Sequence, residues 1–94
     1  MKEYALNEEM QLRTPNEIEK MIQEQLPDSR VSLKDLTGTG DHWQVTIVSS
    51  LFEGKSMLDQ HRMIKTIFEN DIASGAVHAF SLKTYTPKEW SEKN

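Results

Sequence analysis

Three hydroxyl residues, each followed three positions later by a carboxylate, set where this chain can begin a helix. Thr14-Pro15-Asn16-Glu17, Ser56-Met57-Leu58-Asp59 and Thr86-Pro87-Lys88-Glu89 each pair an N-cap hydroxyl with an acidic side chain that can reach back to the cap. The first and third add proline at the first helical position, where its missing N–H costs nothing. Behind the first cap, Ile18, Met21, Ile22 and Leu26 recur at helical spacing until Pro27-Asp28 stops the run, which predicts a helix over Pro15 to Leu26. The second cap opens a helix from Met57 to about Ala73, with Gly75 as its stop. On that helix Met57, His61, Ile64, Phe68 and Ile72 form one stripe expected to face the sheet. The third cap begins a short terminal helix carrying Trp90.

Alternating segments lie between the caps. Arg30 to Leu36 places Val31 and Leu33 on one side, and Trp43, Val45 and Ile47 alternate with Gln44, Thr46 and Val48. Thr37-Gly38-Thr39-Gly40-Asp41 is a loop composition, so the two strands read as a hairpin. Val77 to Tyr85 is a third strand. The order is αββαβ with a small final helix, an α+β chain with Trp43, Ile64 and Phe68 as core candidates. Its 94 residues fit one domain. Residues 1–13 read as a flexible acidic arm and residues 14–94 as the domain proper. Three basic and seven acidic residues fall in positions 1–28, against eight of each in 29–94.

The chain has no cysteine, which excludes a disulfide framework, a thiol nucleophile and any cysteine-ligated cluster held by this chain alone. No apolar run approaches the roughly 20 residues needed to span a bilayer. Residues 1–13 are polar and acidic rather than a signal sequence, so the expectation is a cytoplasmic protein with no membrane association. A net charge of −4 lacks the basic excess usual where phosphate contacts dominate binding. No GxSxG turn, P-loop or GxGxxG is present and no paired-carboxylate arrangement stands out among the acidic residues, which points away from an enzyme.

With no cysteine, His42, His61 and His78 are the side chains that offer imidazole to a metal. His42 follows the glycine-rich loop and precedes a strand, where an ordinary loop histidine is expected. His78 opens the third strand on the side shared with Phe80 and Leu82, where a partly buried, hydrogen-bonded histidine is the default. His61, inside the apolar stripe, reads as structural. Two histidines cannot complete a four-ligand shell, so a metal site here would be shared with a partner. Lys55, Arg62 and Lys65 could contact phosphates, although Glu53, Asp59 and Glu69 beside them suggest a solvated face. Gly38 and Gly40 serve the turn.

Taken in order, Asp41-His42-Trp43-Gln44-Val45, Val48-Ser49-Ser50-Leu51-Phe52-Glu53-Gly54, His61-Arg62-Met63-Ile64, Val77-His78-Ala79-Phe80 and Thr84-Tyr85-Thr86-Pro87-Lys88-Glu89-Trp90 resemble the BolA family over roughly residues 14–91. The resemblance implies a three-stranded sheet with helices on one face, similar to a class II KH domain. It also implies a non-enzymatic partner of a monothiol glutaredoxin of the CGFS type. In such a pair a 2Fe-2S cluster is ligated by the glutaredoxin's cysteine, by glutathione and by histidine from the BolA-like chain, and the isolated chain binds none. His78, in Val-His-Ala-Phe, is the first position to carry over as ligand. His42 matches the loop position where the family places histidine or cysteine. The isolated chain would be a monomer or weak homodimer engaged in iron-sulfur trafficking or iron regulation. The alternative is a KH-like DNA- or RNA-binding regulator of stress response and cell morphology, using Lys55, Arg62 and Lys65. Gln60-His61-Arg62 stands where the family often has Arg-His-Arg, and Gly54 alone does not make the GxxG clamp of KH domains.

Overall fold

The computed structural model describes residues 13–38, 42–75, 77 and 79–93. Helix α1 spans Pro15–Gln25. The Thr14 side-chain hydroxyl accepts from the Glu17 N–H at 3.2 Å, and the Glu17 carboxylate accepts from the Thr14 N–H at 2.9 Å. This reciprocal pairing satisfies two N–H groups that a helix start otherwise leaves without partners. The helix buries Ile18 and Ile22, and Leu26 closes it by donating its N–H to the Ile22 carbonyl.

Strand β1 (Arg30–Asp35) pairs antiparallel with β2 (His42–Val48), and β2 pairs parallel with β3 (Ala79–Tyr85), so β2 is the centre of a three-stranded mixed sheet. The Asp35 carboxylate accepts from the Thr37 and Gly38 N–H groups at 3.2 and 2.9 Å, and Gly38 at φ 78° turns the chain out of β1. A parallel pair needs a long crossover. Here it is supplied by a 3-10 turn (Ser50–Phe52), helix α2 (Met57–Ile67) and helix α3 (Glu69–Ser74). Helix α4 (Pro87–Lys93) follows β3 under the third capping box, with Thr86 and Glu89 exchanging bonds at 2.8 and 3.2 Å.

Register sets the two faces of the sheet. Val31 opposes Ile47, Leu33 opposes Val45, Trp43 opposes Phe80 and Val45 opposes Leu82, which defines the inner row. Trp43, Val45 and Ile47 pack there against Ile18, Ile22, Leu26, Phe52, Ile64, Phe68 and Val77 in one hydrophobic cluster.

The expected single helix from Met57 to Ala73 is two helices. At Phe68 the backbone leaves helical geometry (φ −107°, ψ 15°), with its N–H shared between the Lys65 and Thr66 carbonyls. The Phe68 ring is fully buried and meets Phe80 edge-on at 4.8 Å. The stripe is corrected accordingly. Ile64 and Phe68 face the sheet, but Met57 and Ile72 at its ends are 57% and 42% exposed. Gln60, a polar residue absent from the expected stripe, is 5% exposed and takes the inward position one turn before Ile64. Gly75 ends α3 in the left-handed region at φ 86°, as expected of a C-terminal glycine.

Arg13, assigned to the arm on sequence, belongs to the folded body. Its guanidinium donates two hydrogen bonds of 2.9 Å to the Asp71 carboxylate on α3. The rest of the arm, residues 1–12, lies outside the described residues.

Candidate functional site

His42 is the first residue of β2 rather than a loop residue, and it is half-buried. Its carbonyl accepts from the Leu36 N–H at 2.9 Å, which closes the hairpin directly beneath it. Its parallel register partner is Ala79, the first residue of β3. His78 lies outside the described residues, but it is the chain neighbour of Ala79. The topology thus brings Ala79, and no other part of β3, alongside His42. Phe80, next in β3, touches Phe68, so the turn from α2 into α3 lies at this same end of the sheet. Two apolar side chains are left exposed on segments reaching this end, Leu36 at 51% and Ile72 at 42%.

Among the described residues no group of three or more His, Cys, Asp or Glu side chains could hold a metal ion. With no cysteine in the chain, the donor set fits a cluster whose remaining ligands come from another molecule and does not fit a self-contained one. His61, on α2, is half-buried, and its Nε2 is buried without a hydrogen-bond partner among the described residues.

The three basic candidates do not converge. Lys55 follows Gly54, whose φ of 78° turns the chain toward α2. Lys65 is in the last turn of that helix, about 12 Å along the axis from its first residue Met57 by helical rise. Arg62 stands 3.9 Å from the Asp59 carboxylate in an exposed pair. All three are exposed, one in the loop before α2 and two on the helix, where Arg62 neighbours Asp59.

Two polar constellations that the sequence did not announce hold the opposite end of the sheet. The Gln60 side-chain amide donates to the Lys55 carbonyl at 2.9 Å and accepts from the Thr84 hydroxyl at 2.6 Å, tying the loop before α2 to β3. The Asp28 carboxylate accepts from the Ser49 hydroxyl at 2.7 Å, the Ser50 N–H at 2.8 Å and the Ser50 hydroxyl at 2.7 Å. Those hydroxyl and backbone donors favour the charged form and lower its pKa to about 2. The adjoining Ser49-Ser50 and Pro27-Asp28 pairs were the available signal, but nothing local says that they meet. Between α1 and α2 an open groove of about 670 Å³ is lined by Met21, Gln25, Met63, Thr66 and Ile67. No helix among the described residues is long and apolar enough to cross a membrane.

Comparison with known proteins agrees with this architecture. The acid stress protein IbaG of Escherichia coli is 34% identical over 76 residues, covering 81% of this chain and 87% of that protein. A BolA-like protein of Dictyostelium discoideum is 42% identical over 57 residues, which cover 61% of this chain but only 50% of that relative's length. Among solved structures, a bol-like protein from Babesia bovis superimposes with a TM-score of 0.75 at 29% identity, over 87% of this chain and 94% of that one. Yeast Fra2 superimposes with a TM-score of 0.66 at 30% identity, over 85% and 86% of the two chains. The family described as BolA-like protein matches residues 6–89, and with that span, the αββαβ order and the mixed sheet, the chain belongs to the BolA family.

Proposed function

We propose that this chain is a non-catalytic partner of a monothiol CGFS glutaredoxin, contributing histidine to a glutathione-ligated 2Fe-2S cluster shared between the two proteins in iron-sulfur trafficking or iron regulation. The observation that carries the reading is the register of His42 with Ala79, which sets one candidate ligand beside the chain neighbour of the other, His78. Three further features support it. The chain supplies imidazole but no thiolate, and a 2Fe-2S centre can take imidazole on one iron and thiolates on the other. Leu36 and Ile72 provide exposed apolar surface for a partner on segments reaching the same end of the sheet. The IbaG and Fra2 likenesses cover most of this chain. The nucleic-acid alternative through Lys55, Arg62 and Lys65 has weaker support, because Lys55 lies in the loop before α2 while Arg62, beside Asp59, and Lys65 lie on the helix itself.

The test is to mix the chain with a CGFS glutaredoxin, glutathione, iron and sulfide, and to compare the visible circular dichroism with that of the glutaredoxin alone. The expected result is a new spectrum that is lost in His78→Ala and altered in His42→Ala, with both variants retaining their far-ultraviolet spectrum. An unchanged spectrum, together with no complex on size exclusion, would overturn the reading.

A further inference from the structure

The outer face of the sheet differs in charge from the rest of the molecule. Register assigns Arg30 and Lys34 of β1 and Lys83 of β3 to this face, while the only acidic strand residue, Asp35, is on the inner row opposite Trp43. All three cations are exposed, and none has an ion pair among the described residues. Among the described strand residues, none on this face carries a carboxylate, in a chain of net charge −4.

One end of the strip is concave. Trp90 of α4 leans on Tyr85, with ring centroids 5.3 Å apart, and stands across from Arg30. Between them run two adjoining hollows of about 540 and 230 Å³ that share Arg30, Val48 and Trp90 as walls and floor. Hydroxyls from Ser32, Thr46 and Ser91 line the sides. Asp28 also lines the larger hollow as an ionised carboxylate, its oxygens accepting from Ser49 and Ser50, so a phosphate is expected on the side of Arg30 away from it. Small-molecule sites typically occupy about 300 to 1,000 Å³, mostly apolar, with a few polar groups that fix orientation. Flat aromatic surface next to an unpaired guanidinium is the combination that takes a stacked base with its phosphate.

We propose that this groove binds a nucleotide-like ligand, an aromatic ring bearing a phosphate, with the ring against Trp90 over Val48 and the phosphate on Arg30. Two sources share that chemistry, a free mononucleotide and the end of a single-stranded nucleic acid whose further phosphates run toward Lys34 and Lys83. The groove is at the Val48 end of β2, about 20 Å from His42 at some 3.3 Å per strand residue, so it is independent of the cluster reading.

The experiment is a titration of the 15N-labelled chain with adenosine 5′-monophosphate, with adenosine, and with a short oligodeoxythymidylate, followed by amide and indole shifts. The expected result is saturable shifts at Arg30, Ser32, Thr46, Val48 and the Trp90 indole with the monophosphate. Adenosine should bind about tenfold more weakly, as should the monophosphate to Arg30→Gln, a surface variant whose unchanged thermal midpoint is checked first. If Lys34→Gln/Lys83→Gln weakens the oligonucleotide but not the monophosphate, a strand is the ligand's source. If that double variant weakens neither ligand, the free nucleotide is the source. Absence of saturable shifts with either phosphate ligand, shifts centred on Lys55, Arg62 and Lys65, or affinity unchanged in Arg30→Gln would overturn the proposal.

Discussion

The Arg13 guanidinium grips the Asp71 carboxylate through two parallel hydrogen bonds of 2.9 Å, joining residues 58 positions apart in the chain. The Asp71 side chain is only 9% exposed, so the pair anchors the start of α1 to α3 at the point where the crossover turns toward β3. Asp71 also lends its backbone carbonyl to the Val77 N–H at 3.2 Å.

Removing one partner of that pair leaves the other poorly solvated. Arg13→Ala is expected to destabilise the fold by about 1 to 3 kcal/mol, and Asp71→Asn by a similar amount. In urea denaturation the double variant should lose less than the sum of the two, because either single change already breaks the contact. Additive losses would show that the bond is not formed in solution.

The Gln60 latch is buried and fully used. Gln60→Leu leaves the Lys55 carbonyl and the Thr84 hydroxyl without their partner, and the expected cost is about 1 to 3 kcal/mol. Amide hydrogen exchange should rise at Lys55, whose N–H donates to the Phe52 carbonyl in the loop that Gln60 holds. A loss of stability without that local change would place the effect elsewhere.

The ends and the middle of the predicted helical stripe should respond differently. Phe68→Ala removes a fully buried ring and is expected to cost about 3 to 5 kcal/mol. Ile72→Ala and Met57→Ala, at largely exposed positions, should each cost under about 1 kcal/mol. Equal costs at the three positions would mean that Met57 and Ile72 are buried in solution as deeply as Phe68.

Acid should loosen the β2 exit through Asp28. Its pKa in the folded chain is about 2, below the ordinary 3.8, so the unfolded chain takes up the proton first as pH falls. The stabilisation is therefore complete above the ordinary value and is lost as pH falls from 3.8 toward 2. Asp28→Asn should lower the urea midpoint at neutral pH and flatten its dependence on pH through that acid window. An unchanged profile would show that the serines do not hold this carboxylate in solution.

Much of the candidate site could be read in the sequence because its carriers are local. The caps at Thr14, Ser56 and Thr86 each satisfy N–H groups within four residues, so α1, α2 and α4 begin where expected. Alternation placed Trp43, Val45 and Ile47 on the buried side, and Gly75 ended α3 through its own φ. His42 was correctly placed beside a strand, although it proved to be part of it.

Other features escaped because no short segment contains them. A helical stripe counts apolar residues, so it overlooked Gln60, whose burial is stable only because Thr84 and Lys55 meet its amide. The break at Phe68 follows from its fit against Phe80, a partner in another element. The parallel pairing that sets His42 level with Ala79 depends on the length of the crossover and on which face α2 can cover.

The sequence by itself determined the element order, the helix starts, the inward row of the central strand and the absence of thiolate ligands, all consequences of residue chemistry acting over a few bonds. Only the tertiary structure decided that Arg13 belongs to the body, that Asp28 holds Ser49 and Ser50, and that Arg30, Val48 and Trp90 wall one groove. Those relationships require distant segments to share one small volume, and that is settled by how the helices and sheet pack rather than by any residue's own preference.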